Sequence, residues 1–272
     1  LTIVIVAFKS ENKIFPCLDS IPSHVKTIVV ENSSNKIFKE KIEGKYSNVK
    51  CILSGENKGY AVGNNIGLNE VVTKYALVLN PDTTLNNDTL EIFFKSVKDN
   101  EDFWLIGPAN NQAEEYSFKN KKFIEVNNIK GFAIFLNLAK FKNSYFDENY
   151  FLFFEEIDLC KTVKKKGGKI LIFKDIKINH EGASSVNKDN IFELEKNRNW
   201  HWMWSTFYFH KKFNGFLIAL IIIFPKLISS IFKIIFYQII LNEYKRDIYF
   251  CRMSGIFNSV IGKKSWYRPS LD

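Results

Sequence analysis

The chain has 272 residues, of which 46% are hydrophobic and 15% aromatic, enough to bury a full core and too apolar for a disordered protein. Its 38 lysines and arginines outnumber 29 acidic residues, and the net charge of +9 favours an anionic partner such as a nucleotide phosphate or an acidic membrane face. No nucleic-acid module accompanies that charge, so no nucleic-acid partner is expected, and four scattered cysteines lack the spacing of a zinc or redox site and read as reduced, buried thiols.

Residues 1–8 have no basic leader and no small-residue cleavage site. They read as a first core strand, and a cytoplasmic location is expected. Apolar, β-branched runs recur at 25–30, 49–53 and 75–80, and such runs fit strands covered on both faces of a mostly parallel sheet. Between them, Ser10-Glu-Asn-Lys can start a helix that contains Pro16. Residues 61–72 place Val62, Ile66 and Val72 roughly on one helical face. This alternation predicts a nucleotide-binding α/β fold with its site at the carboxyl ends of the strands.

Residues 109–128 read as a loop or weak hairpin, 129–136 as a strand and 151–154 as an aromatic-rich strand. A helix is expected at 155–166, a strand at 169–173 and an aromatic-rich helix at 190–212. From residue 213 the composition turns strongly apolar, broken by Pro225 and Lys226 and again by Lys233. Two apolar helices joined at the proline are expected, neither long enough to span a bilayer. Flanking lysines and arginines with Trp266 and Tyr267 suit helices lying in an anionic interface, the alternative being a core helix pair.

Four stretches carry chemistry. Val-Val-Glu-Asn (29–32) ends a strand in an acid that can accept hydrogen bonds from a ribose or base edge. In residues 56–67, glycines 59, 63 and 67 alternate with amides at a helix start, where the backbone can approach a ligand. Asn80-Pro-Asp82 delivers a carboxylate to the sheet edge, able to hold a divalent cation against a diphosphate. Glu155, Glu156 and Asp158 open a helix ahead of the lone His180, as a base beside a metal or as charge favouring the helix dipole.

Those four stretches occur in order with Lys-Gly-Phe-Ala-Ile-Phe (130–135), Phe-Asp-Glu (146–148) and Asn-His-Glu-Gly (179–182). Together they resemble the inverting family 2 glycosyltransferases, especially the bacterial rhamnosyltransferase-like branch, over residues 1–212. The resemblance implies a GT-A fold, an α/β mostly parallel mixed sheet flanked by helices. Its nucleotide-sugar half would cover about 1–108, its acceptor half about 109–212, and a membrane-associating helical tail 213–272. It implies a nucleoside diphosphate sugar donor, dTDP-rhamnose by preference, with Mg2+ or Mn2+. A polyprenyl-linked saccharide would be the acceptor, at the inner face of the cell membrane.

Carried residue by residue, the resemblance puts Glu31 and Asn32 near the nucleotide and Asn57, Gly59, Asn64 and Asn80 in the donor pocket. Asp82 would be the last acid of the family's Asp-x-Asp, completed by His180, and Gly131 would lie under the acceptor or sugar. Glu156 would be the catalytic base, Glu155 would orient or screen it, Asp158 would fix the helix start, and Arg198 would face the diphosphate. Glu156 and Glu31 stand where aspartate is commoner, and Asn80 replaces the first acid of the metal motif. Thr162 and Lys174 replace a frequent arginine and proline. A noncatalytic membrane-bound scaffold that kept the pocket is the rival reading. A nucleotidyltransferase would need a glycine-rich loop after the first strand, and Phe8-Lys-Ser-Glu-Asn-Lys has none.

Overall fold

The computed structural model describes residues 1–98, 100–109, 118, 121–142, 144–181 and 191–268. Gly182 of the last motif, Asn190 of the expected aromatic helix and most of 110–120 lie outside the described residues. The first part of the chain alternates β1 (Thr2–Ala7), α1 (Glu11–Asp19), β2 (Thr27–Glu31), α2 (Lys36–Lys45), β3 (Val49–Leu53), α3 (Gly59–Asn69) and β4 (Tyr75–Leu79). It continues through β5 (Thr83–Leu85), α4 (Thr89–Lys98), β6 (Leu105–Pro108), β7 (Phe123–Glu125), β8 (Ala133–Asn137), α5 (Glu155–Lys165), β9 (Ile170–Phe173) and β10 (Ile178–His180).

The main sheet has the order β3-β2-β1-β4-β8-β6-β9-β7. Strands β1 to β4 are mutually parallel, β8 runs antiparallel between β4 and β6, and β9 is parallel to β6. Ile3, Val4 and Ile5 are all fully buried, which is why β1 shows no polar alternation. After β1 the chain adds β2 and β3 on one side and β4 on the other, so a crevice is placed at the carboxyl ends of β1 and β4. Beyond β4, β5 pairs antiparallel with β10 in a small separate ladder that sets His180 opposite Thr83.

Helix α3 lies close on this sheet because of two glycines. A β-carbon at Gly63 would come within 2.8 Å of Val6 Cγ1, and one at Gly67 within 2.4 Å of Val4 Cγ1. Both therefore serve helix–strand packing, not ligand approach; only Gly59, at φ +83°, needs glycine for its backbone. Two strand expectations also change. Phe123–Glu125 pairs with the distant β9 instead of forming a local hairpin, and the strand expected from 129 begins at Ala133. Ile129 fills the notch over Gly107, where a β-carbon would lie 2.6 Å from Ile129 Cγ2.

The chain divides into two compact units, Leu1–Asp147 with Glu156–Ser185, and Glu148–Glu155 with Val186–Asp272. The second is built on α6 (Ile191–Asn214), α7 (Phe216–Ile239) and α8 (Glu243–Val260). Gly255 lets α8 approach the α6 backbone: a β-carbon there would sit 2.3 Å from Trp200 O. Ser259 Oγ donates to Trp204 O at 2.9 Å, and Trp204 Nε1 donates to Lys263 O at 3.0 Å. Met203, Phe207, Ala219, Ile223 and Ile256 form the core that α6 shares with α7 and α8.

Two expectations fail here for a common reason, tertiary packing. Helix α7 runs unbroken through Pro225, because both of its halves are held against α6 and α8 and the one missing backbone donor is outweighed. Residues 151–154 are not a strand: Phe153 and Phe154 take φ of +68° and +72°. Each packs its ring 5.3 Å from Trp202, and Leu152 O accepts from Ser205 Oγ at 3.0 Å. Aromatic burial on α6 overrides the strand propensity of those residues.

Gly67→Ala is expected to lose about 1–3 kcal/mol of stability, despite alanine's better helix propensity, because buried Val4 has no room to yield. Urea unfolding measures it, and an unchanged midpoint contradicts the packing role.

Candidate active site

At the end of β2, Glu31 and Asn32 are 1% and 2% exposed. Glu31 Oε1 accepts from Ser33 N at 3.0 Å and from Ser33 Oγ, and Oε2 accepts from Asn35 N at 2.6 Å, closing the turn into α2. Asn32 N donates to Ala7 O at 2.7 Å. Its side-chain amide donates to Asn57 Oδ1 at 3.1 Å and Gly59 O at 3.2 Å, and its oxygen accepts from Lys58 N at 3.1 Å. Asn57 Oδ1 also accepts from Gly59 N at 3.1 Å. These asparagines fix the loop that opens α3. One turn on, the fully buried Asn64 donates to Tyr60 O at 2.9 Å, while its Oδ1 finds no donor among the described residues. A buried oxygen left in that state costs free energy.

At the end of β4, Asn80 N donates to Phe132 O at 2.8 Å and Asn80 O accepts from Thr83 Oγ1 at 2.7 Å. The turn holds Asp82, whose side chain is 14% exposed, with Oδ2 3.4 Å from His180 Nε2. Glu181 N donates to Asp82 O at 3.1 Å, and the His180 ring stacks on Phe132 at 4.6 Å and 6°. Lys13 Nζ, from α1, reaches Glu181 Oε2 at 2.5 Å. The β5–β10 ladder thus brings together an acid and an imidazole remote in sequence. Among the described residues no three His, Cys, Asp or Glu side chains form a metal cluster. One carboxylate and one imidazole nitrogen nevertheless fit a divalent cation that takes its other ligands from a diphosphate and water.

Glu156 lies at the start of α5 and is largely buried. Desolvation pushes its carboxyl pKa up from the ordinary 4.5, opposed by hydrogen bonds from the Glu156 and Ile157 backbone amides. Gly131 backs this side chain: a β-carbon there would come 3.3, 3.4 and 3.6 Å from Glu156 Cβ, Cγ and Cδ. Tyr60, from the first turn of α3, donates its hydroxyl to Gly131 O at 2.6 Å. Glu155 and Asp158 are both buried, and Thr162 Oγ1 donates to Asp158 Oδ1 at 3.4 Å. Arg198 is partly exposed on α6, in the second unit.

Gly131 therefore lies beside Glu156, and the Asn57–Gly59 turn that opens α3 lies beside Asn32. Two residues without a sequence signal join them. Tyr60 sits inside the 57–65 motif as an ordinary aromatic, and Phe132 supports His180 across the sheet edge. A parallel sheet entered by the antiparallel β8, with an acid–imidazole pair past β4 and a largely buried carboxylate opening α5, is the arrangement of a GT-A glycosyltransferase.

The chain belongs to glycosyl transferase family 2, whose model matches residues 2–160. That match includes Glu31, Asp82, Gly131 and Glu156 and stops before His180. Over 193 residues the chain is 24% identical to the low-salt glycan biosynthesis hexosyltransferase Agl10 of Haloferax volcanii, covering 61% of this chain and 62% of that protein. Over 138 residues it is 27% identical to the teichoic acid poly(glycerol phosphate) polymerase of Staphylococcus epidermidis, covering 48% of this chain and 18% of the relative. The chain spans less than two thirds of either one's length. The mannosyltransferase PcManGT from Pyrobaculum calidifontis, solved with GDP-Man and Mn2+, shares the fold at a TM-score of 0.59 and 12% identity, over 97% of this chain and 87% of that one. S. aureus TarS 1-349 with UDP does so at 0.54 and 15%, over 98% and 92%.

Because burial raises the Glu156 pKa, the native chain holds that proton more tightly than the unfolded chain does. Above the raised pKa the ionised carboxylate carries its full desolvation cost; below 4.5 both states are protonated and the cost is gone. Glu156→Gln is expected to be more stable than the native chain at neutral pH, the gap closing as pH falls through the raised pKa toward 4.5. Urea unfolding over a pH series checks this, and a pH-independent gap sinks it.

Proposed function

We propose that this chain is an inverting glycosyltransferase moving a sugar from a nucleoside diphosphate donor to a saccharide acceptor in cell-surface glycan synthesis. The observation that carries the reading is Glu156, a largely buried carboxylate with a raised pKa at the start of a helix, backed by a glycine. A sugar hydroxyl is a poor nucleophile at neutral pH. Glu156 takes its proton as the hydroxyl oxygen attacks the anomeric carbon, and displacement from the opposite face inverts that centre. Glu155 and Asp158 keep the base in place.

The nucleotide lies over Glu31, Asn32, Asn57, Gly59 and Asn64. Asp82 and His180, with Asn80 beside them, would hold Mg2+ or Mn2+, which neutralises charge on the departing diphosphate. Residues 1–212 form the transferase and 213–272 the attachment to the inner face of the cell membrane, where a polyprenyl-linked saccharide is the acceptor. The names of the two curated relatives, a glycan hexosyltransferase and a teichoic acid polymerase, support the glycan context. Rhamnose from dTDP-rhamnose is the preferred donor on the motif resemblance alone.

Release of nucleoside diphosphate from a panel of activated sugars, with a polyprenyl-diphosphate saccharide present, tests the activity. Glu156→Gln is expected to lower kcat by about 10²–10⁴-fold while donor affinity holds within about twofold. Retained turnover overturns the base assignment, and nucleotide binding without product from any pair makes the chain a binding scaffold. Asp82→Asn is expected to raise the Mn2+ concentration for half-maximal activity by about tenfold or more. An unchanged metal titration removes Asp82 from that role.

A further inference from the structure

The second unit bares an apolar stripe along the whole of α7. Leu217, Ile221, Phe224, Ile228, Phe232, Ile235 and Ile239 follow at steps of three and four, each between 37% and 74% exposed. Helix α8 adds Phe250 and Phe257, and Ile261 follows at its C-cap. Between the two helices lies a groove of about 600 Å3, walled by Phe224, Leu227, Ile231 and Phe257. Its polar groups are already partnered: Ser254 Oγ accepts from Trp200 Nε1 at 3.2 Å and Asn258 Oδ1 from Trp266 Nε1 at 3.1 Å. Hydrocarbon suits such a groove and a polar ligand does not. Residues 211–272 also carry ten lysines and arginines against three acids, +7 of the chain's +9, so the surface around the stripe suits an anionic layer.

By length and composition α7 is able to cross a bilayer. Its neighbours are not. Helices α6 and α8 flank it, joined to it by Phe207–Phe216 at one end and Tyr237–Tyr249 at the other. Glu193, Lys196, Lys245, Arg246 and Asp247 gather at the Gln238 end of α7, while near mid-length Arg252 donates to Asn199 Oδ1 at 2.9 Å. A span would leave the Arg252 guanidinium at mid-depth in hydrocarbon, with a neutral amide as its partner.

We propose that the α7–α8 face beds into an anionic lipid bilayer with α7 parallel to the surface, an interfacial helix and not a span, and with lipid acyl chains filling the groove. On the opposite flank of α7, Lys233 donates to Tyr249 Oη at 3.0 Å and ties α7 to α8. The inference deepens the membrane attachment in the proposed function and is independent of the chemistry assigned to Glu156.

The test uses the full chain with vesicles of phosphatidylcholine, with and without phosphatidylglycerol. Single cysteines replacing Leu217, Phe224, Phe232 or Ile239 carry an environment-sensitive fluorophore, the native thiols being buried. Spin-labelled lipids then report depth. Expected are flotation with the anionic vesicles and one shallow depth at all four sites. A profile deepest at mid-helix overturns the proposal in favour of a span. So does a failure to float, and more specifically a stable dimer in solution with the labels shielded, which assigns the face to a second copy. Ile221→Glu with Phe232→Glu, both exposed, is expected to cut vesicle partition at least about tenfold while nucleotide affinity is unchanged. Depth is read without turnover, so loss of the glycosyltransferase reading and loss of this one give separate results.

Discussion

A single buried amide, that of Asn32, ties the carboxyl ends of the first strands to the helix on which the candidate site depends. Its backbone joins β1, and its side chain spends both donor and acceptor on the Asn57–Gly59 loop. That loop sets the start of α3, and the first turn of α3 presents Tyr60, whose hydroxyl holds the carbonyl of Gly131. Gly131 in turn lies along Glu156. Four short contacts therefore relate the carboxyl ends of β1 and β2 to the carboxylate that opens α5. Further along α3, Asn65 makes reciprocal hydrogen bonds with the backbone of Phe146, at 2.9 and 3.0 Å, anchoring the approach to that carboxylate. In a buried setting, bonds of this kind cost more to lose than they contribute when made.

Two glutamates at element ends meet opposite surroundings. Glu31 is enclosed by three donors of its own turn and acts first as a structural acceptor. Glu156 has two backbone amides and little water, and burial wins, so its proton is held more tightly than an exposed carboxyl would hold it. A carboxylate that a turn has fully engaged orients its neighbours, whereas one raised by desolvation is suited to receiving a proton. The sequence shows only two glutamates near polar residues; the difference lies in who donates to them.

The parallel strands were legible because burial on both faces leaves unbroken β-branched runs, and the strand ends followed from turn residues. The α3 glycines were visible but ambiguous, since a glycine that admits Val4 or Val6 is spelled the same as one that admits a ligand. Phe151 to Phe154 and Pro225 defeat local reasoning for one cause: what they pack against lies some fifty residues away for the phenylalanines, and along two neighbouring helices for the proline. Asp82 and His180 were paired by family resemblance, and the physical reason for their proximity, the small β5–β10 ladder, is a contact no periodicity reveals. Tyr60 was hidden because a hydroxyl meeting a carbonyl 71 positions on leaves no local trace.

The four cysteines are free and buried, and burial pushes the Cys17 and Cys160 thiols up to about 12 and Cys51 to about 11, with Cys251 raised as well. At neutral pH they are thiols and not thiolates, and only the thiolate exchanges disulfides or attacks an oxidant. The folded molecule is thus chemically silent toward the redox state of its surroundings. Handling without reductant leaves it a single covalent species.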